Sequence, residues 1–196
     1  MQYVGHLDLH RSWERTFRRS GLPMAYSQGF HPQARLNLAC ALPLGFTSIC
    51  ELLDAWLEQD FQIDAIGEAL SQALPPGLEI LKLENINPGL PALQTQVTSA
   101  VYMITLLDEV PGLAARVQKV ITAENLPRLR RNKSYDLRPL IEELNLQPTH
   151  EGKSTLRVQL AAREAATGRP EELLEELGVQ YEATHVNREK LIFITD

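Results

Sequence analysis

Residues 5–48 read GHLDLHRSWERTFRRSGLPMAYSQGFHPQARLNLACALPLGFTS. The stretch holds three of the chain's five histidines, a run of arginines and a loop dense in Gly, Pro and aromatic residues. Leu9, Trp13 and Phe17 recur every fourth residue and so share one face of a helix. Arg11, Arg15, Arg18 and Arg19 fall on the other side. Asp8 suits an N-cap or a first-turn acid, and Gly21 suits the residue just past the helix end. The arginine face fits two readings, a solvated surface or an anion site. The loop that follows favours the second. Tyr26, Ser27, Gln28, Phe30 and His31 crowd one connection, and such loops on a rigid scaffold are where ligands bind.

The pattern around this stretch predicts an α+β fold. Residues 1–5 read as the end of a strand that begins outside the sequence, as in a piece of a longer protein. Arg35 to Leu42 and Cys50 to Glu58 read as a hairpin around the turn residues 43–48. Ile63, Ile66, Leu70 and Leu74 form a helical stripe that ends at Pro75-Pro76-Gly77. Leu78 to Ile86 alternates like a strand. The order strand, helix, strand, strand, helix, strand is the ferredoxin-like βαββαβ arrangement. Residues 88–99 carry prolines and a polar tail and read as a linker. A similar order then follows, with a strand at 100–107, a helix at 111–122, a longer mixed stretch at 128–146, a strand at 155–163, a helix at 169–177 and a last strand within 181–194. The expectation is two ferredoxin-like subdomains, 1–87 and 100–196.

The chain has 196 residues, 44% of them hydrophobic, so a packed core is expected rather than disorder. The formal net charge of −6 excludes a protein that coats nucleic acid without selection. Two islands are basic against that background. Residues 1–50 sum to +3, and Leu126 to Leu140, with Arg128, Arg130, Arg131, Lys133 and Arg138, sum to +4. Local basic islands suit an anion site. Cys40 and Cys50 are too few for a disulfide framework or an iron–sulfur cluster. No apolar run has membrane-spanning length, so a cytoplasmic protein without a membrane partner is expected.

The quoted stretch resembles the signature of the radical-SAM-linked domain, a bacterial family of uncharacterised function. Its members look like S-H-L-D-L-x-R, R-x-x-R-R-x-G-L-P, Y-[ST]-x-G-F-x-P and P-L-P-x-G. Residues 135–141 and 167–172 resemble the family too. Gly5 stands where the family usually has Ser. The resemblance implies a radical SAM protein as partner, fused or separate, and the basic helix and aromatic loop suit RNA, or another anionic substrate, as the ligand. The chain lacks C-x-x-x-C-x-x-C, so it is not itself the radical enzyme. Doubled ferredoxin-like units also look like the CRISPR repeat-RNA endoribonucleases, an analogy of fold. Their glycine-rich segment near the C-terminus has no counterpart here.

These features lead to one expectation and two alternatives. The expectation is a non-catalytic recognition module for RNA or another anionic substrate, acting with the radical SAM partner in RNA modification or processing, that uses Arg11, Arg15, Arg18, Arg19, Tyr26, Ser27, Gln28, Phe30, His31, Arg35, Arg130, Arg131, Lys133 and Arg138. The alternatives are a metal-independent endoribonuclease using His6 or His31, and a protein-binding adaptor. His6 and His10 have metal-compatible spacing on a helix but no third ligand, so neither a metal nor a cofactor is expected.

Overall fold

The computed structural model describes residues 1–150 and 153–194, with side chains for 1–148 and 153–194. In chain order the first elements are α1 (His6–Ser20), β1 (Leu36–Leu38), β2 (Thr47–Ser48), β3 (Leu53–Ala55), α2 (Ile63–Ala73) and α3 (Leu93–Gln96). Then come β4 (Val97–Leu106), α4 (Leu113–Thr122), β5 (Pro127–Arg130), β6 (Lys133–Asp136) and β7 (Ile141–His150). The last are β8 (Lys153–Arg163), β9 (Ala166–Thr167), α5 (Pro170–Glu176) and β10 (Thr184–Phe193). The fold is mixed, with helices and sheets. It divides into two compact units, residues 1–45 with 51–96, and residues 46–50 with 97–196.

In the first unit, α1 starts at Gly5, whose extended backbone caps it without a side-chain bond. Asp8 is the first-turn acid rather than the cap. Gly21 ends the helix at φ 75°, the left-handed conformation that only glycine adopts without strain. The apolar stripe packs as its spacing predicts. Phe17 is buried with Leu22, Met24, Leu36 and Leu70, and Trp13 lies half-buried against them. Arg11, Arg15, Arg18 and Arg19 are exposed. The predicted stripe of α2 supplies Ile66 and Leu70 to the same core.

The strands of this unit are sparser than expected. β1 and β3 pair antiparallel over three residues each, and Met24↔Leu57 and Tyr26↔Ala34 add isolated bridges. Residues 1–5 form a turn, with the Val4 N–H donating to the Met1 carbonyl. The predicted strand at 78–86 has no ladder partner. Its Ile80 packs on the core while Leu81 and Ile86 stay exposed, so alternation here marks a half-buried segment rather than a paired strand. Thus the first unit is not the four-stranded subdomain expected.

The second unit is built on β10-β4-β8-β7, every neighbouring pair antiparallel. Along the chain these strands and two helices run β4, α4, β7, β8, α5, β10. That order, with the last strand beside the first and the third beside the second, is the split βαβ connectivity. β5 and β6 form an inserted hairpin whose turn, Arg131-Asn132, has positive φ at both residues, as a two-residue type I′ turn requires. β2 pairs parallel with β10 at the sheet edge, so residues 46–50 belong to this unit rather than to the first. Phe46 is fully buried between Tyr102 and Tyr181. The stretch expected as a linker instead holds α3 and the first residues of β4.

Candidate functional site

The loop after α1 is a closed structure. Tyr26 and Ala34 bridge its two arms, and the Ser27 N–H donates to the Gln33 carbonyl at 2.8 Å. The Gln33 N–H returns to Ser27 Oγ at 2.9 Å. Gly29 turns the tip at φ 139°, where a Cβ would be strained. Held this way, the loop presents Tyr26, Gln28, Phe30 and His31 to solvent, and Phe30 buries nothing at all. An aromatic ring left fully in water on a fixed backbone gives up about 1.5–3 kcal/mol of burial. Packing within the described residues does not use the ring.

Beside the loop lies a cavity of about 380 Å³ with a mixed polar and apolar lining. The register Asn37↔Asp54 places those two side chains across from each other on one face of the β1–β3 hairpin. Strand alternation sends Leu36, Leu38, Leu53 and Ala55 to the opposite, core face. Arg35 and Trp56 extend the polar face, with the guanidinium 4.9 Å from the ring centroid. Residues 86–92 close the cavity, with Asn87 Oδ1 accepting the Gly89 N–H at 2.9 Å.

Among the described residues the Asp54 carboxylate, the Asn37 amide and the Arg35 guanidinium have no hydrogen-bond or ion-pair partner, and the guanidinium lies over the Trp56 ring. Burial pushes the Asp54 carboxyl up from its ordinary value of 3.8. Folding therefore disfavours its ionised form. Below pH 3.8 the group is neutral in both states; the cost appears as pH rises through the raised folded value and persists above it. Asp54→Asn is thus expected to raise the unfolding midpoint at pH 7 and leave it unchanged near pH 3. Equal stabilisation at both would contradict the assignment.

The helix arginines separate into two kinds. Arg19 donates to the Ala73 carbonyl at 2.6 Å and ties α1 to the end of α2. Arg11 pairs with Asp8 at 3.3 Å on the exposed surface. Arg15 and Arg18 make no ion pair among the described residues and stay exposed. Arg35 and Ser27 line the cavity, whereas Arg11, Arg15, Arg18 and His31 face open solvent. A second cavity of about 330 Å³ is lined by His6, His10, Cys40 and Gln94 among others. His10 is engaged there, with Nε2 3.2 Å from the Leu36 carbonyl and Nδ1 3.4 Å from Glu14. No group of three or more His, Cys, Asp or Glu able to hold a metal occurs among the described residues. Cys40 and Cys50 are not joined in a disulfide.

The second basic island is largely spent on its own fold. Arg128 pairs with Glu176 at 2.5 Å, and Arg130 with Glu172 at 2.6 Å. Glu172 and Glu176 are one turn apart on α5, so the two pairs pin the β5–β6 hairpin to that helix. Arg130 also donates to Tyr135 Oη at 3.0 Å. Burial, and then the Glu172 carboxylate, push the Tyr135 phenol up. Arg138 donates to the Ile141 and Ile121 carbonyls at 2.9 and 3.0 Å. Arg130 and Arg138, expected as ligand contacts, therefore hold the fold together. Arg131 and Lys133 remain exposed at the hairpin turn. Glu172→Ala should cost about 1–3 kcal/mol in urea unfolding, because it removes the charge partner of a partly buried guanidinium that keeps only neutral acceptors. A loss below about 0.5 kcal/mol would mean the pair is merely a surface one.

Residues 1–170 match a family described as an uncharacterized protein conserved in bacteria (DUF2344). The chain belongs to this family. The match takes in the closed loop, both cavities and most of the second unit of this DUF2344 protein. None of the curated proteins compared with it matches. Among solved structures it is similar to a chain of the crystal structure of a Cbf5-Nop10-Gar1 complex, with a TM-score of 0.51 and 10% identity. The likeness covers 97% of this chain and 46% of that one, and at this identity it concerns fold alone. The DUF2344 chain thus spans about half the length of the chain it matches. No helix among the described residues is long and apolar enough to cross a membrane.

Sequence reasoning missed Asn37, Asp54, Trp56 and Asn87. A signal for two of them was present, since Leu53, Ala55 and Leu57 alternate with Asp54 and Trp56. Taking the second strand as starting at Cys50 obscured which side faced the cavity.

Proposed function

We propose that this protein is a non-catalytic module that recognises single-stranded RNA through its first unit. It acts beside a radical SAM protein in RNA modification or processing. The observation that carries the reading is the closed loop holding Phe30 entirely in solvent. Unpaired bases stack on exposed aromatic rings, and nearby cations follow the phosphates. Tyr26 and Phe30 supply the rings, and Arg15, Arg18 and Arg35 supply charge not neutralised by acids. An acidic net charge confines that attraction to this region and suits selective binding rather than coating. The radical SAM partner rests on the signature resemblance carried by residues 5–45.

The test is fluorescence anisotropy with a labelled single-stranded RNA of about twelve nucleotides, titrated at several salt concentrations. The parent should bind with affinity that falls as salt rises. Phe30→Ala should weaken binding by about 1–3 kcal/mol with little change in salt slope, since a stacked ring contributes no charge. A parent that fails to bind at low salt would refute the reading. So would a Phe30→Ala variant that binds as tightly as the parent.

A further inference from the structure

The β1–β3 cavity has a chemistry more specific than a phosphate site. It places one carboxylate, Asp54, directly across the ladder from one amide, Asn37, with neither hydrogen-bonded nor ion-paired to a protein group among the described residues. Its volume of about 380 Å³ lies within the range of small-ligand sites. We propose that this cavity is a guanine-selective nucleobase site, in which the Asp54 carboxylate accepts the base's two adjacent N–H donors. The inference rests on the RNA reading and deepens it.

The selectivity follows from donor and acceptor order. An ionised carboxylate only accepts hydrogen bonds, and it accepts two side by side. Guanine presents N1–H and the N2 amino group as neighbouring donors. Adenine and cytosine each set one amino donor beside a ring acceptor, and uracil sets its one N–H between two carbonyls. Each of those places an acceptor lone pair against the carboxylate. Guanine O6 lies next to N1, where the Asn37 amide can donate to it. The guanidinium of Arg35, its Cζ 4.9 Å from the Trp56 ring centroid, offers a planar cation on which a base stacks or a phosphate rests. The wall at Asn87 is fixed by its own bond to the Gly89 N–H.

Guanosine 5′-monophosphate and adenosine 5′-monophosphate, titrated calorimetrically into the whole protein, test the assignment. The guanine nucleotide should bind about tenfold or more tightly than the adenine one. Asp54→Asn, which alters charge on the solvent face of the hairpin and not the core, should bring that ratio close to one. Arg35→Gln should weaken both nucleotides alike and leave the ratio intact. Equal binding of the two nucleotides by the parent would overturn the proposal, as would an unchanged ratio in Asp54→Asn or no binding of either at millimolar concentration. Guanine selectivity in a protein that binds no RNA would uphold the cavity's role and remove the RNA reading. RNA binding without guanine preference would do the reverse.

Discussion

Phe17→Ala is expected to lower stability by about 3–5 kcal/mol, the largest single effect in the first unit. Phe17 lies on the core face of α1 and meets Leu22, Met24, Leu36 and Leu70 there. Trp13 is its ring neighbour at 6.4 Å between centroids. The cost is the lost ring burial together with the loss of the packing that holds the three-residue β1–β3 pairing in place. Both tryptophans, Trp13 and Trp56, belong to the first unit, so tryptophan fluorescence during urea unfolding reports on that unit. A loss below about 1 kcal/mol would mean that the phase assigned to α1 is wrong.

The second large effect is on binding. Arg15 and Arg18 are exposed and make no ion pair among the described residues, so replacing both with Ala removes charge without touching the core. Each phosphate neutralised on a single strand contributes about 0.7 to the log–log salt slope. The double variant should therefore lose about 1.4 units of slope and bind RNA roughly 25-fold more weakly at 0.1 M salt. Its unfolding curve should match the parent's. Arg130→Ala should behave in the opposite way, losing stability through Glu172 and leaving the slope unchanged. A double variant with the parent's slope would turn the helix arginines into ordinary solvated charge.

Legibility in the sequence followed the range of the interactions. α1, α2, α4 and α5 were readable because their apolar spacing, Gly21, Pro170 and Gly178 are local signals. The strands β4, β8 and β10 were readable because each is long and alternates into a sheet. The strand expected at 78–86 was not, since alternation records burial on one side and says nothing of a ladder partner. Nor was the allegiance of residues 46–50. Thr47 bonds Asn187 at 2.9 Å, 140 positions away, and no local pattern announces such a pairing. Charge proved legible as composition but not as availability. Arg15 and Arg130 look alike in sequence, yet one is free for an anion and the other already holds Glu172. The loop at Tyr26 to Pro32 was singled out from its residue types alone. The cavity beside it needed the β1–β3 register, which aligns Asn37 with Asp54.

The most direct test is ultraviolet crosslinking of a single-stranded RNA to the protein, with the modified peptides mapped by mass spectrometry. The account predicts adducts at residues 26–35, centred on Tyr26 and Phe30, that diminish in Phe30→Ala. Adducts confined to residues 128–138, or none above a bovine serum albumin control, would contradict it.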